Sequence, residues 1–166
     1  MDKRGKPVFD TSNRVRIYEA VKASPGVGFR ELVRTCELSV GTARHHLTVL
    51  VRHGVLVERR HGSRIVFFTA HAPQDGWRGV VALRNAGLRE LHSVVLAAPG
   101  QPQAAVVRTM AGRGWRRTTT IHRLTRLERH GVLHSIRLQQ TRHYWPTTAV
   151  QGPSPAAFEK ALPEVA

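Results

Sequence analysis

The feature that most constrains this chain is that it resembles itself. Thr42–Leu56 reads Thr-Ala-Arg-His-His-Leu-Thr-Val-Leu-Val-Arg-His-Gly-Val-Leu and lies over Thr119–Leu133 at an offset of 77, with ten of fifteen positions identical. Upstream, Ala23-Ser24-Pro25-Gly26 lies over Ala97-Ala98-Pro99-Gly100 at an offset of 74. Downstream, Ser63-Arg64 lies over Thr141-Arg142 at 78. Self-similarity at a nearly fixed period means that one structural unit is built twice, with short insertions in loops. A length of 166 residues accommodates two small domains of this kind. With 41% apolar residues, each copy can bury a core of its own.

The first copy predicts a helix over about 14–23, capped by Ser12 or Asn13. Either Val15, Tyr18 and Val21 or Ile17, Ala20 and Val21 would form its buried face. Pro25-Gly26 ends it. Phe29 to Cys36 has helical spacing, with Phe29, Leu32, Val33 and Cys36 on one side. Leu38-Ser39 is a turn, and Ser39 is a good N-cap for a third helix reaching Arg52. Ala43, Leu47 and Leu50, with Val51 as a further candidate, make its apolar stripe, and Gly54 closes it. Two strands follow, Val55–Arg60 and Ile65–Thr69, joined by the turn His61-Gly62-Ser63-Arg64.

The second copy repeats this order. Helices are expected over 87–98, 103–111 and 116–130, and then a hairpin of Val132–Leu138 and His143–Trp145 with residues 139–142 at its tip. The expected fold class is therefore α+β, mostly helical, with two tandem winged helix-turn-helix domains. Their expected extents are 12–71 and 87–146. Residues 1–11 form a basic N-terminal arm, 72–86 a linker with a connecting helix over Trp77–Asn85, and 147–166 a Pro-rich tail with one or two helical turns over 156–162.

Charge points to the partner. Lys and Arg number 26 against 11 Asp and Glu, a formal net charge of +15 and a pI near 11.7. Residues 1–76 carry 13 basic and 7 acidic groups, and residues 77–166 carry 13 and 4, so both halves are cationic. Such a surface meets polyanions, nucleic acid foremost. The longest apolar runs, such as Val94–Ala98, are far shorter than the ~20 residues of a membrane span. Neither a membrane partner nor a signal peptide is expected. The single cysteine, Cys36, allows no internal disulfide and fits a reducing cytoplasm, and it reads as a core residue.

The residues Ile17-Tyr18-Glu19, Pro25-Gly26, Phe29-Arg30-Glu31-Leu32, Leu38-Ser39-Val40-Gly41-Thr42-Ala43-Arg44-His45-His46-Leu47 and His53-Gly54-Val55-Leu56 resemble the winged helix-turn-helix of ArsR/MarR-type transcriptional regulators. The nearer likeness is to tandem winged-helix regulators common in archaea, and it covers about residues 12–145. Ala111-Gly112-Arg113-Gly114-Trp115 departs from the pattern, because glycines, Trp and Arg replace the usual Leu-Ser turn. The resemblance implies a third helix that enters the major groove and a hairpin that lies beside a phosphate backbone.

By that pattern the groove-facing residues of the first copy are Ser39, Val40, Gly41, Thr42, Arg44, His45 and Thr48. Those of the second are Arg116, Arg117, Thr118, Thr119, Ile121, His122 and Thr125. Arg can fork onto guanine, hydroxyls can bond a phosphate or base edge, and a glycine lets the backbone approach closely. Arg59, Arg60, His61, Arg64 and Arg142 are the hairpin candidates. The implied function is a sequence-specific double-stranded DNA-binding transcriptional regulator, cytoplasmic and on the nucleoid. It is a possible homodimer, and whether it takes an effector is left open. The alternatives are an adaptor that docks on transcription machinery or another protein, and a non-specific nucleoid or RNA-binding protein. The ten histidines are scattered without metal-ligand spacing, and no nucleophile–base pair or phosphate loop occurs. No metal, cofactor or catalytic residue is therefore expected, and the chain is not read as an enzyme.

Overall fold

The computed structural model describes residues 8–9, 11–72 and 75–147. Most of the expected N-terminal arm, two residues of the expected linker and nearly all of the Pro-rich tail, including 156–162, lie outside them. The architecture is α+β, with seven helices and two three-stranded sheets among the described residues and about half of them helical rather than most. The chain divides into two compact units, Met1–Val81 and Ala82–Ala166.

In the first unit the order is α1 (Ser12–Ala23), β1 (Val27–Gly28), α2 (Phe29–Thr35), α3 (Val40–Arg52), β2 (Leu56–His61) and β3 (Arg64–Thr69), followed by α4 (Trp77–Leu83). On α1, Ile17 and Val21 face inward while Val15 is 43% exposed, which decides between the two faces the spacing allowed. The cap of α1 is Thr11, not Ser12 or Asn13, and it makes no side-chain cap bond. Arg14 in the first turn of the helix is buried and donates from Nη1 to the carbonyl of Val8 at 2.9 Å. On α3 the Ser39 cap holds: its Oγ accepts from the Thr42 amide at 3.1 Å. Ala43, Leu47 and Leu50 join Ile17, Val21, Leu32, Cys36, Leu56 and Phe67 in the buried interior. The hairpin turns through Gly62 and Ser63 alone, since His61 and Arg64 pair across it. β1 carries no signal in the sequence pattern. Two residues show no alternation, and the strand exists only because Val27 and Gly28 pair with Phe67 and Val66 of β3.

The second unit runs α5 (Ala86–Ala97), β4 (Gln101–Pro102), α6 (Gln103–Ala111), α7 (Arg117–Arg129), β5 (Leu133–Leu138) and β6 (Thr141–Pro146). Its sheet has the order β4-β6-β5, matching β1-β3-β2 of the first. Asn85 caps α5 by accepting from the Leu88 amide at 3.1 Å. Leu88, Leu91, Val94, Val95, Val106, Met110, Leu124, Leu127 and Tyr144 are buried together. Here too the hairpin tip is narrower than expected, because Thr141 pairs with Leu138 and Arg142 with Arg137.

The structure locates the drift in the repeat. α1 and α5, β1 and β4, and the starts of α2 and α6 are all 74 apart, whereas α3 and α7 and both strands of each hairpin are 77 apart. The three extra residues lie in α6, two longer than α2, and in the turn after it, one longer. Beyond that turn the offset does not change, so Arg64 lies over Thr141 and Arg142 lies over Ile65, which corrects the downstream match. Both third helices end alike. The Val55 amide reaches Leu50 O at 2.9 Å and the Val132 amide reaches Leu127 O at 2.9 Å, past Gly54 and Gly131 at φ +67° and +68°. A residue with a Cβ is strained in that left-handed conformation, so glycine stands there twice.

Candidate nucleic-acid interface

The outward face of α3 follows from its period. With Ala43, Leu47 and Leu50 turned inward, Val40, Gly41, Arg44, His45 and Thr48 are exposed, and Thr42 is half-buried. Ser39 and Thr42 are not free hydroxyls. Their oxygens lie 2.8 Å apart, and one donates to the other, so a ligand meets a preformed pair. Thr48 donates to the carbonyl of Arg44 at 2.9 Å. A Cβ at Gly41 would meet only Ser39 Oγ at 4.0 Å, which leaves the surface above the helix start open. The Arg44 guanidinium stands 5.9 Å from the centre of the Phe29 ring, steadied by the ring's negative face.

In the second unit Arg116, Arg117, Thr118, His122 and Thr125 are exposed, with Thr119 and Ile121 half-buried. Arg116 is the N-cap of α7, one residue ahead of the helix, and makes no side-chain cap bond. Of the three consecutive threonines, Thr120 is fully buried and donates to the Arg116 carbonyl at 3.2 Å, so the outward hydroxyl cluster is a pair. The Arg-rich stretch is also sorted. Arg113 pairs with Glu90 at 3.4 Å, and Arg123 lies 4.1 Å over the Trp115 ring. Arg123 also fills the space beside Gly87, where a side chain would displace its guanidinium. Arg116, Arg117, Arg126 and Arg129 remain outward. Trp115 explains the departure from the Leu-Ser pattern. It stands 77 residues after Leu38, and each packs against the core of its own unit.

On the hairpins, Arg60 and Arg64 are exposed and Arg59 is half-buried. His61 packs edge-on against Trp77, with ring centres 6.0 Å apart. Arg142 pairs with Glu128 at 3.4 Å, and Glu128 also accepts from Ser135. That surface ion pair is worth little to stability, though it occupies the guanidinium.

Three groups escaped sequence reasoning. A shallow groove between α2 and α3 is lined by Phe29, Arg30, Val33, Arg34 and Val40. The i, i+4 spacing of Arg30 and Arg34 was the available signal. Ile65 is 49% exposed on β3, at the place Arg142 holds on β6. His46 is 8% exposed, although it sits among outward residues in the sequence. Burial first, then the nearby charges of His45 and Arg14, push its pKa below the usual histidine value. Its Nδ1 meets no hydrogen-bond partner among the described residues. Burial likewise raises the thiol of Cys36, opposed by Arg16. Among the described residues no group of three or more His, Cys, Asp or Glu is placed to hold a metal ion. No helix among them is long and apolar enough to cross a membrane.

Residues 11–78 match the family described as HTH_HVO_0163_N, an N-terminal HTH domain. The matched stretch spans α1 to β3 and the start of α4, and its helices are those of a helix-turn-helix domain. None of the curated proteins matches the chain. The structure of the ESCRT-II endosomal trafficking complex contains a similar chain, 12% identical with a TM-score of 0.38, the likeness covering 84% of this chain and 90% of that one.

Proposed function

We propose that this protein is a sequence-reading, double-stranded DNA-binding transcriptional regulator of ArsR/MarR-like type, made of two winged helix-turn-helix modules in one chain. The modules correspond to residues 12–71 and 87–146, joined through 72–86. α3 and α7 act as the recognition helices, and the hairpins act as wings. The observation that carries this reading is the outward face of α3 within the helix-turn-helix domain: Val40, Gly41, Arg44, His45 and Thr48 exposed over a buried apolar stripe, in a chain of net charge +15. The same element order, strand order and third-helix register recur in the second unit, with Arg116, Arg117, Thr118, His122 and Thr125 outward. The reading assigns no catalytic step and places the protein on the nucleoid.

A salt titration of duplex binding tests it. Neutralising about 6–10 phosphates gives a log–log slope of affinity against salt of roughly −5 to −9. A flat affinity, or no duplex binding at low salt, refutes the reading and favours a protein-docking role.

A further inference from the structure

The two proposed recognition helices carry the same pair of chemistries in opposite order. On α3, Val40 in the first turn is 54% exposed and Arg44, four residues on, is exposed. At the matching positions of α7, 77 residues later, Arg117 comes first and Ile121 second. Residues at i and i+4 share one face of a helix and are separated by about 6 Å along its axis. That span reaches neighbouring base pairs, since base pairs rise about 3.4 Å. In the major groove an apolar side chain finds the C5-methyl of thymine, whereas a guanidinium finds O6 and N7 of guanine. Inward neighbours hold both pairs in place: Ala43 and Leu47 under the first, the fully buried Thr120 and Leu124 under the second.

We infer that the first module reads a thymine methyl with Val40 and a neighbouring guanine with Arg44, and that the second reads guanine with Arg117 and thymine with Ile121. The two boxes of one site then present thymine and guanine in reversed order along the recognition helices. This inference rests on the DNA-binding reading. Arg44 is steadied against the Phe29 ring, 5.9 Å from its centre.

The test starts by selecting bound duplexes from a pool randomised over about two helical turns, using the full chain. Each thymine of the selected site is then replaced singly by deoxyuridine, which removes only the methyl group. One such replacement in each box is expected to weaken binding about fourfold, the effect of one buried methyl. V40A abolishes the sensitivity in one box and I121A abolishes it in the other, while each leaves the opposite box unchanged. Together V40R and R44I, both on the surface, convert the first box to the order of the second. A selected site whose thymines all tolerate deoxyuridine, or whose sensitivity survives both V40A and I121A, overturns the inference and leaves the DNA-binding reading standing. Failure to select any duplex overturns both.

Discussion

At the scale of the residue, His46 sets a limit on pH. Its side chain is buried on α3 and its folded pKa is depressed, so the unfolded chain binds its proton more readily. The sign follows: stability is full above the ordinary histidine pKa of about 6.5 and falls as pH drops through it. His92, whose pKa is lowered by burial, acts in the same direction in the second unit. Unfolding midpoints should therefore fall between about pH 7.5 and pH 5, and His46→Gln should flatten the decline in the first unit. An unchanged acid limb in that variant contradicts the assignment.

The arginines divide by what holds them. Arg44→Ala and Arg117→Ala should relax preference at single base positions by about 1–3 kcal/mol. Arg60→Ala should weaken all sequences about equally. Arg142→Ala should do less, because its guanidinium is already engaged with Glu128. Selection profiles of the four variants check this, and identical profiles would refute the division into groove and wing.

At the scale of the element, the starts of α3 and α7 differ in one device. Ser39 caps α3 through its side chain, and Arg116 at the same place in α7 does not. Ser39→Ala should cost about 1 kcal/mol of stability, and Arg116→Ser should recover up to a similar amount in the second unit. The second change should also weaken DNA binding, since it removes a cation at the proposed interface. Thermal unfolding together with duplex titration reads both effects. A stabilised variant with undiminished binding would remove Arg116 from the interface. Most of these elements were legible beforehand because their signals are local. The 3.6-residue period, Ser39 as cap and Gly54 and Gly131 as closing residues each act within one helix. The hairpin tips are two residues narrower than the sequence pattern predicts, because pairing across β2–β3 and β5–β6 continues through polar residues such as His61 and Arg142.

For the full chain, the proposed pair of covalently linked readers would hold each other at high effective concentration, so one chain could occupy a site without dyad symmetry. A chain with one reader must dimerise, and symmetry then imposes a palindrome. Footprinting should show a protected region of about 10–20 base pairs containing two unlike boxes, about one helical turn apart. A longer palindrome would instead mean two chains, and protection spreading evenly with concentration would mean coating without sequence reading.

The duplication, the inward stripes of the helices and the cationic surface can all be read along the chain. Each of these is a matter of spacing or composition along the chain. The register of α7 is set the same way, since the offset of 77 places Arg117 over Val40. Tertiary structure decided what depends on partners distant in sequence. β1 and β4 exist only as additions to β3 and β6. His46 is buried on a helix packed against α1, with Arg14 nearby, and Arg123 lies over Trp115 and beside Gly87. A side chain's period says which way it points, but what it meets there is set by the elements packed opposite, and those pairings are not written in any one window of the sequence.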